Sequence, residues 1–73
     1  MKSLDQEILG NLRSSLTNFH TVKVGYISKE GKDSERIATV NYLDEEKGIV
    51  NFATAIGFRS MRLENIIYAD IRY

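Results

Sequence analysis

The sequence predicts a mainly β domain led by one N-terminal helix, an α+β chain, and three observations carry that prediction. The stretch from Ser34 to Ile56 holds two runs rich in Val, Ile, Thr, Tyr and Phe, separated by Asp44-Glu45-Glu46-Lys47-Gly48. Branched and aromatic side chains suit a pleated, half-buried surface, and a charged segment ending in Gly suits a hairpin connection. Ahead of them, Leu4, Ile8, Leu12, Leu16 and Phe19 recur every three or four residues, the period of a helix with one apolar face. Two further segments, around Val22 and around Ala69, alternate apolar and polar residues with period two.

The helix is expected over residues 3–19. Ser3 and Gln6 stand at capping-box spacing, and Asp5 and Glu7 fall in the first turn, where negative charge suits the positive end of the helix dipole. The stripe, widened by Leu9, is read as a lid on the protein's own core, because its polar face lacks the Lys/Arg density of interfacial helices. Barrel strands then occupy residues 21–73. Val22, Val24 and Tyr26 form one face of the first strand, and Gly31 turns the charged loop that follows. In the second strand Ile37 and Val40 are three apart, so both can face inward only across a bulge or strong bend. Val50, Phe52, Thr54 and Ile56 supply a face of the third strand. Gly57-Phe58-Arg59-Ser60 is expected to turn, Met61 and Leu63 to make a very short fourth strand, and Glu64-Asn65 to interrupt it as a single helical turn. Ile67, Ala69, Ile71 and Tyr73 alternate to the C-terminus. One helix and five short, bent antiparallel strands predict a small barrel of the SH3/Sm-like type.

At 73 residues the chain makes one domain, with 42% hydrophobic and 27% charged residues, an ordinary globular balance rather than that of a disordered chain. There is no Cys to form a disulfide or a thiolate metal site. No apolar run approaches the roughly 20 residues that a spanning helix needs, and no signal peptide is visible, so the expectation is a cytoplasmic protein without membrane contact. Ten basic and ten acidic residues cancel. A protein that holds nucleic acid mainly through phosphates carries a positive excess, so weak nucleic-acid binding is the expectation. Low net charge also permits a homo-oligomer.

The chain resembles the YolD-like family over nearly its whole length. The resemblance rests on Leu4-Asp5-Gln6-Glu7-Ile8, Val22-Lys23-Val24-Gly25-Tyr26 with Gly31 after it, Ile37, Tyr42-Leu43-Asp44, Ile49 and Leu63-Glu64-Asn65-Ile66-Ile67. It implies an Sm-like barrel acting as an accessory of an error-prone, Y-family DNA polymerase in the bacterial DNA-damage response. The chain is also similar to the WYL domain, another Sm-like barrel of ligand- or nucleic-acid-sensing regulators. There the similarity rests on Tyr26, Gly31, Ser34 and Arg36, and on Met61-Arg62-Leu63-Glu64-Asn65-Ile66. This second resemblance implies that Arg36 lines a ligand-binding face.

No catalytic motif is present and no cofactor is expected. His20, the single histidine, is read as structural, and Asp44, Glu45 and Glu46 as a solvated turn without calcium-loop spacing. The candidate partner- or nucleic-acid-binding residues are Arg36, Phe58, Arg59 and Arg62. An aromatic ring beside two guanidinium groups can stack on a base and hold phosphate, or grip a partner's carboxylate. The plainer alternative is that Phe58 completes the core while the arginines stay solvated, pairing loosely with Glu64 or Asp70. Tyr26 is read as core. The functional expectation is a non-catalytic protein-binding module, with a nucleic-acid or small-ligand sensor as the alternative.

Overall fold

The computed structural model describes residues 5–72. Its element order is α1 (Gln6–Asn18), β1 (Thr21–Ile27), β2 (Asp33–Asp44), β3 (Ile49–Thr54), β4 (Gly57–Arg62), a 3₁₀ turn (Leu63–Asn65) and β5 (Ile66–Arg72). The strands form one antiparallel sheet in the order β4-β3-β2-β1-β5, which leaves β4 and β5 as its two edges. This is the expected mainly β domain with a leading helix. The sheet is curled like a small barrel but left open, with no ladder joining β4 to β5 among the described residues.

The cap of α1 is Asp5, not Ser3. Asp5 has extended backbone, and its Oδ1 accepts from the Glu7 amide at 2.8 Å. Aspartate is among the best N-cap residues, and Gln6 becomes the first helical residue, too early to close a capping box. Ser3, Leu4 and Tyr73, to which the expectations also extended, lie outside the described residues. Leu9 and Leu12 are buried, with Ile8 and Leu16 packed at the margin. Phe19 departs from the expected stripe. It takes the left-handed C-cap conformation, φ 59°, and is 82% exposed, because that turn rotates its side chain off the helix's apolar face.

One face of the curled sheet meets the helix. Val22 and Val24 of β1, Ala38 and Val40 of β2, Val50 and Phe52 of β3 and Ala69 of β5 bury there with Leu63 and Ile66. The hairpin between β2 and β3 forms as expected around Gly48, whose φ of 71° suits a residue without a Cβ. The expected bend in β2 is also present, but it lies between Val40 and Tyr42, where the register slips. Ile37 is therefore not drawn inward; it is 54% exposed, and Ala38 takes the inward position in step with Val40. A second slip, between Gly25 and Tyr26 against β5, turns Ile66 inward and leaves Ile67 outside. At the same place the Tyr68 ring crosses the backbone of Gly25, where any Cβ would collide with it.

The turn after β3 differs from expectation. Thr54 pairs with Gly57, so the reversal falls on Ala55 and Ile56, and 57–62 is a full strand rather than a turn and a stub. Ala55 and Ile56 keep negative φ and the positive φ falls on Gly57, at 130°, where the lack of a Cβ permits it; the Thr54 hydroxyl closes the turn by donating to the Gly57 carbonyl at 2.7 Å. Ile56 consequently sits at the tip, exposed, instead of extending the inward face of β3. The helical turn at Leu63–Asn65 forms where the sequence placed it.

Candidate binding cleft

Strand alternation decides which side chains line the concave face, and the helix decides how much of it is covered. Leu9, Leu12 and Ser15 of α1 are buried over the end of the sheet that holds Val40 and Ala69. Beyond the helix the same inward rows continue without a lid. On β2 the row runs Val40, Ala38, Arg36, Ser34. On β4 the register sets Met61 beside Val50 and Arg59 beside Phe52. The chain therefore directs arginines, not aliphatic residues, toward the end of its concave face that the helix does not reach.

The result is an open cleft of about 640 Å³ between the β1–β2 hairpin and β4, with Tyr26, Arg36, Arg59, Met61, Arg62 and Asn65 on its walls. Lys29 adds a cation at the rim, and Glu30 is the one carboxylate of the lining. Arg36 is held in place, its Nε donating to the Tyr26 hydroxyl at 3.0 Å. Its terminal nitrogens have no acceptor among the described residues. Arg59 makes no side-chain hydrogen bond or ion pair among the described residues. Arg62 projects from the opposite face of β4 and approaches Glu64 at 3.7 Å, with both side chains largely exposed, a contact too loose and solvated to neutralise it.

Three of the four sequence-selected residues, Arg36, Arg59 and Arg62, thus meet in one cleft. Phe58 does not join them. It points from the outer face of β4 and is 71% exposed, so the alternative in which it completes the core is wrong. It lines a shallower hollow with Lys29, Ile56 and Arg59 at the hairpin tip. The physical reason is parity: once 57–62 is a strand, neighbours 58 and 59 must point to opposite faces. Asp70 pairs with neither arginine; on the sheet it stands across from Lys23. Tyr26 is half-buried rather than fully core, its ring against the core and its hydroxyl on Arg36.

Met61 and Lys29 are cleft residues that sequence reasoning left out. The period-two step from Arg59 to Met61 would have found the first had the strand been recognised. Ser15 was also missed. It is fully buried, donating to the His20 carbonyl at 2.5 Å and accepting from the Val40 amide at 2.9 Å, at the point where the β2 ladder slips. Its signal was position alone, because it continues the Ile8–Leu12 stripe.

The carboxylates of the β2–β3 turn serve that turn. Asp44 accepts from the Lys47 amide at 2.9 Å and from the Tyr42 hydroxyl at 3.2 Å, and its pKa lies below the ordinary value, chiefly through the Lys47 amide. Glu45 grips the Arg13 guanidinium of α1 with both oxygens, the Nε contact being 2.7 Å, and this pairing lowers its pKa. The turn is thus solvated as expected, but it also clasps the helix. On the outer face the Tyr68 hydroxyl donates to Glu35, which raises the tyrosine pKa, and Lys23 lies 3.6 Å from the same carboxylate. Among the described residues no group of three or more His, Asp or Glu side chains gathers as a metal site. No helix among them is long and apolar enough to cross a membrane.

Fold and cleft together define a class: a small, curled β domain of SH3/Sm-like build, closed at one end by a helix and open at the other onto clustered arginines. No family model, curated protein or solved structure matches the chain.

Proposed function

We propose that this domain is a non-catalytic binding module that captures an acidic segment of a partner protein in the cleft. The observation that carries this reading is the excess of cations in it: Arg36, Arg59, Arg62 and Lys29 face a single lining carboxylate, Glu30. Arginine presents a planar fork suited to carboxylates, and the Tyr26 hydroxyl orients Arg36 before any ligand arrives. The chain as a whole is neutral, so this excess is local to the cleft, with Arg36 and Arg59 on the concave face and Arg62 at its rim. The YolD-like resemblance makes an error-prone, Y-family DNA polymerase the first partner to try, in a cytoplasmic DNA-damage response.

Single-stranded nucleic acid is the second reading, favoured by one observation: Phe58 is exposed beside Arg59 and Lys29, a ring and two cations such as stack a base and hold its phosphate. The double variant Arg59→Glu, Arg62→Glu separates the two. We expect the parent to bind a Glu-rich peptide, and the variant to lose it while keeping the parent's circular dichroism. We expect only weak binding of a single-stranded oligonucleotide at physiological salt. Tight oligonucleotide binding by the parent, falling with a log–log salt slope near about −0.7 per phosphate contact and lost in the variant, would overturn the protein-partner reading.

A further inference from the structure

The arginines lie beside an unused sheet edge. β4 pairs with β3 on one side and with no strand among the described residues on the other. Such an edge presents a row of backbone donors and acceptors, and proteins commonly guard it with a very short strand, charged side chains, some pointing inward, a proline, a bulge or a covering element. Of these β4 has only charge, Arg59 inward and Arg62 outward, which repels a cationic strand but not an acidic one; it runs for six residues, contains no proline, pairs with β3 in unbroken register, and is exposed along all of its length except Met61. Its inward side chains, Arg59 and Met61, open onto the cleft, while Phe58, Ser60 and Arg62 stand on the outer face.

We propose that the partner's acidic segment binds as an added strand on β4, extended, with its backbone paired to 58–62 and one carboxylate reaching into the cleft at Arg59. This rests on the cleft reading above and deepens it by stating the ligand's conformation and pattern. Backbone pairing supplies affinity in such strand addition, and the alternating side chains supply specificity. Directly opposed side chains on neighbouring strands interact most strongly, so the β4 sequence writes the pattern of its complement. An antiparallel segment would place an acid opposite Arg62, an apolar residue opposite Met61, a small polar residue opposite Ser60, an acid opposite Arg59 and an apolar residue opposite Phe58. The inward acid then lies on the same face as Arg36, whose terminal nitrogens are uncommitted among the described residues. Charge complementarity selects this occupant, since every charged side chain of β4 is cationic.

The test uses the full 73-residue chain and four capped pentapeptides, followed by amide NMR and hydrogen exchange. The first is Asp-Ile-Thr-Glu-Val, two more have the same sequence with alternate backbone nitrogens methylated in one phase or the other, and the last is Asn-Ile-Thr-Gln-Val. We expect the first peptide to bind and to slow amide exchange within 58–62. Methylation in the pairing phase should weaken it by about tenfold or more, the loss expected when backbone hydrogen bonds go unmade. The uncharged peptide should bind more weakly than the first, and Arg59→Glu should abolish binding of the first. If both methylated forms bind as well as the unmethylated one, the segment is held by side chains alone; strand addition is overturned while the acidic-cleft reading stands. If no acidic peptide binds but an oligonucleotide does, both fall. If the β4 amides become protected merely on raising protein concentration, and the acidic peptide does not reverse it, a second copy occupies the edge and the proposal is overturned.

Discussion

The two ends of the concave face use one construction to opposite effect. At the helix end the inward rows carry Val22, Val40 and Ala69, and α1 lays Leu9 and Leu12 across them. The one buried polar side chain among the described residues, Ser15, both donates and accepts a hydrogen bond there. At the other end the rows carry Ser34, Arg36, Arg59 and Met61, and no element among the described residues covers them. The comparison shows how a domain this small divides its concave face: the one helix among the described residues closes only one mouth of the curl and leaves the other to the proposed binding cleft. Small domains have little core to spare, so the covered end carries nearly all the stability.

The comparison breaks most sharply at Phe52, which is 1% exposed where the two ends meet. Truncating a buried Phe costs about 3–5 kcal/mol, which approaches the whole stability of a single-core domain of this size. Phe52→Ala should therefore be largely unfolded at room temperature by circular dichroism. A melt within a few degrees of the parent would show that the core does not centre there. Next in size is Ser15→Ala. It strands the Val40 amide inside the closed end, and an unsatisfied buried donor costs about 1–3 kcal/mol. Urea denaturation should register that loss with an unchanged m-value, and Ser15→Thr should recover only part of it because the added methyl has no room.

The open end should respond differently. Arg59→Glu and Arg62→Glu each change exposed side chains without buried partners, so each should stay within about 0.5 kcal/mol of the parent while ligand capture is lost. The smallest effect expected is that of the clasp between Glu45 and Arg13. Asp44 and Glu45 have pKa values lowered in the folded state, so the unfolded chain binds more protons in the acid range. Their contribution is present at neutral pH and is lost as pH falls through and below the ordinary carboxylate range near about 4. Stability measured from pH 7 down to pH 3 should decline less steeply in Glu45→Gln than in the parent, and an identical slope would remove the clasp from the account.

Much of this could be read from the chain alone. Periodicity determined the helix, the β2–β3 hairpin, the 3₁₀ turn and the burial of Val22, Val24, Val50 and Phe52, because each depends on residues close in sequence. Arg36, Arg59 and Arg62 were selected on side-chain chemistry, which is local, and the fold brings them to one cleft. Phase was decided elsewhere. Whether Ile37 or Ala38 faces inward depends on where the β2 ladder slips, and that slip lies beside Val40, whose amide bonds Ser15, 25 residues away in the chain. Phe58 and Arg59 went to opposite faces because Thr54 paired with Gly57 and made 57–62 a strand, a matter of register with β3 rather than of residue type. The cleft itself is a tertiary object: it exists because α1 covers only one end of a curled face, and the length of the helix against the length of the strands leaves the arginine rows uncovered.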